Sequence, residues 1–318
     1  MSKIKVAVLC PGQGAQHVGM GRSAWEHKAG KAVFDQVDDA LGYKLSDLIL
    51  QGNESDLKQT QHAQPALMTV SMALYRVLCA EGFDPAWVAG VAGHSLGEVT
   101  ALCLADVLSV ADAARLLQAR GRAMADACPN GGGMAAILGL KPDLFQNLPT
   151  FSAGLCVLAN DNGAGQVVLS GHQAALEQAK DWVKEQGGRF IPLPVSGPFH
   201  SPLMQPAADA LANLLAEQTF QAPRVPVYTN VSATPQTDPA VLKDHLLQQI
   251  TGRVRWRETM TVLQDTVDAT HVLEIGAGKV LTGLWTRQGC QPRCTNLQNV
   301  EDGIAFLKTI KEETSYAS

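Results

Sequence analysis

Gly93-His94-Ser95-Leu96-Gly97 lies between the apolar run Trp87-Val88-Ala89-Gly90-Val91-Ala92 and the stretch Glu98-Val99-Thr100-Ala101-Leu102-Cys103-Leu104. The first run predicts a buried strand and the second a helix. A serine between two glycines at such a junction has the form of a nucleophile elbow, a turn so sharp that side chains at the flanking positions would collide. The serine then sits at a helix N-terminus, where unpaired N–H groups face developing negative charge.

Outward from the elbow, Lys5-Val-Ala-Val-Leu-Cys10 predicts a second buried strand, which Pro11-Gly12-Gln13-Gly14-Ala15-Gln16 turns into a tight loop. Helical periodicity covers 32–41, 66–79, 98–104 and 110–127. This alternation predicts an α/β layer around a parallel sheet. At Pro129-Asn-Gly-Gly-Gly133 the composition shifts. The order beyond it is strand 134–140, helix 142–148, strand 155–159, turn 160–165, strand 166–169, helix 174–185 and strand 189–195. That β-α-β-β-α-β sequence is ferredoxin-like, so 129–197 is expected as a small subdomain inserted into a large α/β hydrolase-like domain formed by 1–128 and 198–318. The large domain resumes with helix 204–217, strand 225–229, helices 239–250 and 256–264, strand 271–275 and helix 279–287. The tail from Glu312 is expected to fray.

With 318 residues, 46% of them hydrophobic, the chain can bury a large core. A net charge of −5 argues against general nucleic-acid binding and leaves small molecules or proteins as ligands. The seven cysteines are scattered mostly through apolar runs, the pattern of reduced core thiols in a cytoplasmic protein. Only Cys290 and Cys294 are close. They read as a loop pair, and without a second Cys or His pair at ligand spacing no metal site is expected. The first ten residues are too short an apolar stretch for a signal peptide, and no run is long enough to span a membrane.

A serine hydroxyl needs a general base, and eight histidines are available. His172 and His245 read as solvated, and His271 as the start of a strand. His200 lies in Val195-Ser-Gly-Pro-Phe-His-Ser-Pro202, the loop by which the chain leaves the insert, so it could overhang the cleft. The residues alone leave open whether it is the base or a loop histidine with local partners. In helix 110–127, Arg120 falls on the apolar stripe of Ala113, Leu116, Leu117 and Met124, whereas Arg115 and Arg122 fall off it. A buried guanidinium must meet a carboxylate, either one of this chain or one carried by a ligand. Gly12-Gln13-Gly14 has histidine where a dinucleotide fingerprint has its third glycine; it suits an oxyanion loop opposite the elbow instead.

Together these residues resemble the malonyl-CoA:acyl-carrier-protein transacylase family over nearly the whole chain. The carrying motifs are Pro11-Gly-Gln-Gly-Ala-Gln16, Gln61-His-Ala-Gln-Pro-Ala66, Gly93-His-Ser-Leu-Gly-Glu98, Gln118-Ala-Arg-Gly121, Gly133-Met-Ala-Ala136, Asn160-Asp-Asn162 with Gly165-Gln-Val-Val168, Gly197-Pro-Phe-His-Ser201, and Gln249 followed by Val254-Arg-Trp256. The resemblance implies Ser95 as the acylated nucleophile, His200 as base and Arg120 as the grip on the free malonyl carboxylate. It makes the N–H groups of Gln13 and Leu96 the oxyanion hole, has Gln249 orient His200, and puts Asn160 beside the acyl group. Phe199 before the histidine implies plain rather than branched malonyl units.

The implied reaction is ping-pong, from malonyl-CoA through a malonyl-serine to the phosphopantetheine thiol of an acyl carrier protein. It requires no cofactor of this chain's own, since the partner carries the phosphopantetheine. Arg253, Arg255 and Arg257 are candidates to meet an acidic carrier, and the chain is expected to act as a monomer without nucleic acid or membrane. Two other readings stand beside it: a serine hydrolase that releases acyl groups from the carrier, and a non-catalytic carrier-binding scaffold.

Overall fold

The computed structural model describes residues 4–128, 131–163 and 165–316. Part of the glycine-rich stretch (129 and 130), position 164 of the expected turn and the last two residues of the tail lie outside the described residues. Among the described residues ten strands form two sheets: β1 Val6–Cys10, β2 Val88–Gly93, β3 Gly132–Leu138, β4 Cys156–Asp161, β5 Gln166–His172, β6 Arg189–Pro192, β7 Val227–Tyr228, β8 Pro235–Gln236, β9 His271–Ile275 and β10 Cys294–Leu297. The first sheet runs β10-β9-β1-β2-β7-β8 and is parallel except for β8, which pairs antiparallel with β7.

Every residue of β1 is buried, because helices cover both faces of this sheet. Val6, Val8 and Cys10 join the core beneath the long helices Thr60–Ala80 and Val110–Asp126, while Ala7 and Leu9 join a second core against helices Trp256–Val267 and Val280–Gln288. Strand pairing sets Cys10 beside Gly93. The loops that follow β1 and β2 therefore emerge together at the carboxyl edge of the sheet, where such folds place their ligands.

The second sheet is antiparallel in the order β4-β5-β3-β6, the strand order of a ferredoxin-like unit. One face buries Ala135, Ile137, Val167 and Leu169 against helix Gln173–Glu185. From the other face Met134, Ala136 and Val168 look across a cleft toward the first sheet's loops. One edge is joined to the large layer: Val254 bridges Asn160, with Asp161 N–H donating to the Val254 carbonyl at 2.9 Å and Val254 N–H to the Ala159 carbonyl at 2.8 Å.

Several elements differ from expectation. The insert's first helix is a 3-10 segment, Pro142–Asn147, confined by Pro142 at its start and Pro149 just beyond it. Strand β4 continues through Asp161 where a turn was expected, drawn on by the Val254 pairing. The last strand of the insert stops at Pro192, and Leu193 and Val195 line the cleft instead. Cys294 is not in a loop but opens β10, and all seven cysteines are free. The tail is helical from Val300 to Tyr316, held by buried Phe306, Leu307 and Ile310 and by a polar contact between Glu313 Oε2 and His271 Nε2 at 3.1 Å.

Candidate active site

Three glycines allow the elbow to close. A Cβ on Gly93 would sit 1.9 Å from the Gly97 carbonyl oxygen, one on Gly97 would sit 2.2 Å from the Cys10 oxygen, and one on Gly12 2.9 Å from the His94 oxygen. Ser95 itself has φ 54°, ψ −111° just before helix Leu96–Leu104. His200 also has a positive φ, 57°. Such backbone costs a non-glycine residue of order 1–3 kcal/mol and persists only where the surroundings enforce it.

At Ser95 the enforcement is explicit. Its N–H donates to Asn230 Oδ1 at 2.7 Å, and its carbonyl accepts from Gln249 Nε2 at 3.1 Å. Asn230 Nδ2 in turn donates to the Gly93 carbonyl at 2.7 Å. The loop carrying His200 is tightened by Ser201 Oγ, which donates to the Pro198 carbonyl at 2.6 Å.

Ser95, His200 and Arg120, distant in sequence, converge. His200 Nε2 lies 2.7 Å from Ser95 Oγ, and His200 Nδ1 lies 2.9 Å from the Gln249 carbonyl oxygen. A carbonyl can only accept, so Nδ1 carries the proton and Nε2 offers its lone pair to the serine hydroxyl. Burial, reinforced by the Arg120 cation, pulls the His200 pKa down to about 3, so the ring is a neutral base. The contact of Gln249 with the imidazole is made through its backbone and not its side chain.

Arg120 is 2% exposed, as its place on the apolar stripe predicts. Its guanidinium donates to Gln64 Oε1 at 2.7 Å, to Gln249 Oε1 at 2.8 Å and to Ser95 Oγ at 3.1 Å. All three acceptors are neutral, and among the described residues no carboxylate pairs with it and its Nε–H is unpartnered. Burial lowers its pKa to about 10, with Glu98 opposing, so it remains a cation at neutral pH. The guanidinium thus faces the cavity with its hydrogen-bonded positions taken by neutral oxygens, an arrangement open to a carboxylate brought by a ligand.

A cavity of about 230 Å³ opens onto Ser95 and Arg120. Asn160, Phe199 and helix residues Val280, Leu281 and Leu284 contribute to its walls. Gln13 and Leu96 flank it, and among the described residues neither backbone N–H has a protein acceptor, as free oxyanion donors require.

Other participants are silent in residue-by-residue reading. Gln64 sits in the quoted Gln61–Ala66 motif, but only the fold brings it to Arg120. His94, lowered in pKa by burial, lies 2.9 Å from Asn162 Oδ1 through Nε2. Glu98 is fully buried behind the elbow; burial raises its pKa to about 7 against the pull of its hydrogen bonds from Asn230 and Gln249.

The remaining candidates need correction. His172 and His245 are not simply solvated: His172 Nδ1 accepts the Leu155 N–H at 2.9 Å, and His245 Nδ1 meets Thr229 Oγ1 at 2.8 Å. Arg253, Arg255 and Arg257 do not form a free basic patch. The first two pair with Glu258, and Arg257 pairs with Asp161 at 2.8 Å. Among the described residues no cluster could hold a metal ion, and no helix is long and apolar enough to cross a membrane.

Comparisons with known proteins agree with this geometry. The profile of the acyl transferase domain family matches residues 8–295. The malonyl CoA-acyl carrier protein transacylase of Bacillus subtilis is 40% identical, over 98% of this chain and 99% of that protein. Among solved structures, an acyl-carrier-protein S-malonyltransferase from Bartonella henselae superimposes with a TM-score of 0.91 at 44% identity, covering 97% of this chain and all of that one. A malonyl-transacylase in complex with a type II PKS acyl-carrier protein superimposes with a TM-score of 0.90 at 35% identity, covering 96% of this chain and 99% of that one. With a serine elbow, a neutral histidine base and a profile match across most of its length, the chain belongs to the acyl transferase domain family.

Proposed function

We propose that this protein transfers the malonyl group of malonyl-CoA to the phosphopantetheine thiol of an acyl carrier protein. Ser95 Oγ attacks the thioester carbonyl as His200 Nε2 takes its proton, and the backbone N–H groups of Gln13 and Leu96 receive the oxyanion. Collapse breaks the carbon–sulfur bond, and the coenzyme A thiolate leaves with the proton returned by His200. The carrier thiol then attacks the malonyl-serine by the same route, with His200 again relaying the proton. Arg120 binds the free carboxylate throughout, replacing part of its contact with neutral amide oxygens by a charge-assisted fork. No cofactor of the chain's own enters this scheme.

The observation that carries the reading is Arg120, a buried cation whose hydrogen-bond partners among the described residues are all neutral, 3.1 Å from the reacting oxygen. The names of the relatives support the same donor and acceptor. We also read 129–197 as the inserted subdomain, supported by the confinement of the second sheet to that span, and the free cysteines as suited to the cytoplasm.

Intact-mass spectrometry after mixing with malonyl-CoA or acetyl-CoA tests the scheme. The expected result is a malonyl adduct on the wild type, none on Ser95→Ala, and loss of the preference for malonyl over acetyl in Arg120→Ala. An Arg120→Ala protein that still prefers malonyl would overturn the carboxylate grip.

A further inference from the structure

Glu98 takes no part in the steps above and hydrogen-bonds to neither Ser95 nor His200, yet it is a fully buried acid three residues beyond the nucleophile. Its Oε2 accepts two donors, the backbone N–H of Asn230 at 2.7 Å and the side-chain Nε2 of Gln249 at 2.9 Å. Both donor residues hold the elbow, Asn230 through Ser95 N–H and the Gly93 carbonyl, Gln249 through the Ser95 carbonyl.

The second contact has a consequence beyond scaffolding. A primary amide has one accepting and one donating end, so fixing either end assigns the other. With the NH2 of Gln249 committed to Glu98 and the Ser95 carbonyl, its Oε1 must face Arg120, where it accepts from the guanidinium at 2.8 Å. Turned over, the amide would oppose its own N–H donors to those of Arg120 and leave Glu98 Oε2 without that donor. Gln64 Oε1 holds the other arm of the fork at 2.7 Å. Two amide oxygens thus set the plane of the guanidinium, and a carboxylate secures one of them.

We propose that Glu98 is a positioning residue for acyl-group selection: by sorting the Gln249 amide it holds Arg120 in the orientation that receives a substrate carboxylate. This rests on the malonyl reading of the site. A purely structural acid would affect all acyl donors alike, whereas a residue acting through Arg120 affects donors that carry a free carboxylate more than those that do not.

The test is the ratio of kcat/KM for Ser95 acylation by malonyl-CoA and by acetyl-CoA, measured on the wild type, Glu98→Met and Glu98→Gln. Methionine removes the acceptor at similar volume; glutamine keeps an oxygen but can also turn its NH2 toward Gln249. The expected result is a fall in the malonyl-to-acetyl ratio of about tenfold or more for Glu98→Met and about threefold for Glu98→Gln, with acetyl acylation less affected. If the methionine variant does not fold, the glutamine variant decides by the same ratio. A ratio unchanged or raised, or both rates falling in step, overturns the proposal while leaving the function intact. A wild type that forms an acetyl but no malonyl adduct refutes the functional reading, and this proposal with it.

Discussion

At the Ser95 oxygen an acceptor and a donor meet, the neutral His200 ring on one side and the Arg120 cation on the other. The pairing is self-consistent: the cation lowers the cost of negative charge on the serine and also helps keep the histidine unprotonated. The pH dependence follows. Because the folded His200 pKa is about 3 against an ordinary 6.5, the neutral ring's contribution to stability is complete above the ordinary value and is lost as pH falls toward the folded one. Acylation by malonyl-CoA should therefore show no His200 inflection at the ordinary imidazole pKa across about pH 5 to 8, and His200→Ala should lower its rate by about 10²- to 10⁴-fold. Quenched-flow mass spectrometry across that range checks both, and a His200-dependent inflection at the ordinary value would refute the first. Ser95 was legible in the sequence because a glycine-flanked turn leaves a local signature, whereas a proline-rich loop and a helical stripe only singled out His200 and Arg120 as candidates, their roles coming from the family resemblance. The Gln249 carbonyl was not legible as such, since every residue has one. Gln64 and Glu98 acquire their partners only when helices distant in sequence pack together.

Elements carry their own constraints, and the elbow is the tightest. Gly97→Ala places a methyl group 2.2 Å from a backbone oxygen of Cys10, which lies in β1 and has no side-chain freedom with which to yield. A loss of at least about 2 kcal/mol by denaturant unfolding is expected, with acylation reduced more than stability alone accounts for. A variant as stable and active as wild type would mean that the turn can relax. The long helix Thr60–Ala80 shows why boundaries escape sequence reading: its periodicity was legible only from Ala66, because Pro65 reads as a start, yet the structure accommodates that proline within the helix. Helix Val300–Tyr316 had a sign that went unread. Asn299 and Asp302 cap it reciprocally, Asn299 Oδ1 accepting from Asp302 N–H at 2.8 Å and Asp302 Oδ2 from Asn299 N–H at 3.3 Å.

For the molecule as a whole, the decisive relation is between the two sheets. The fold class and the ferredoxin-like strand order were legible from the sequence of elements, but the joint between the sheets was not, since the backbone bridge between Asn160 and Val254 pairs residues far apart in the chain. Arg257 and Asp161 clasp that joint from the side, Asp161 nearly fully buried and Arg257 one-third exposed. Asp161→Asn removes the charge while keeping an oxygen for Gly163 N–H, so a loss of about 1 kcal/mol and a fall in melting temperature of a few degrees are expected. Calorimetry checks this, and an unchanged melting temperature would show that the backbone bridge alone suffices. That joint also reaches the cleft. Asn160 is at once a partner in the bridge and part of the cavity wall, so whatever disturbs the seam is transmitted directly to the chamber in front of Ser95.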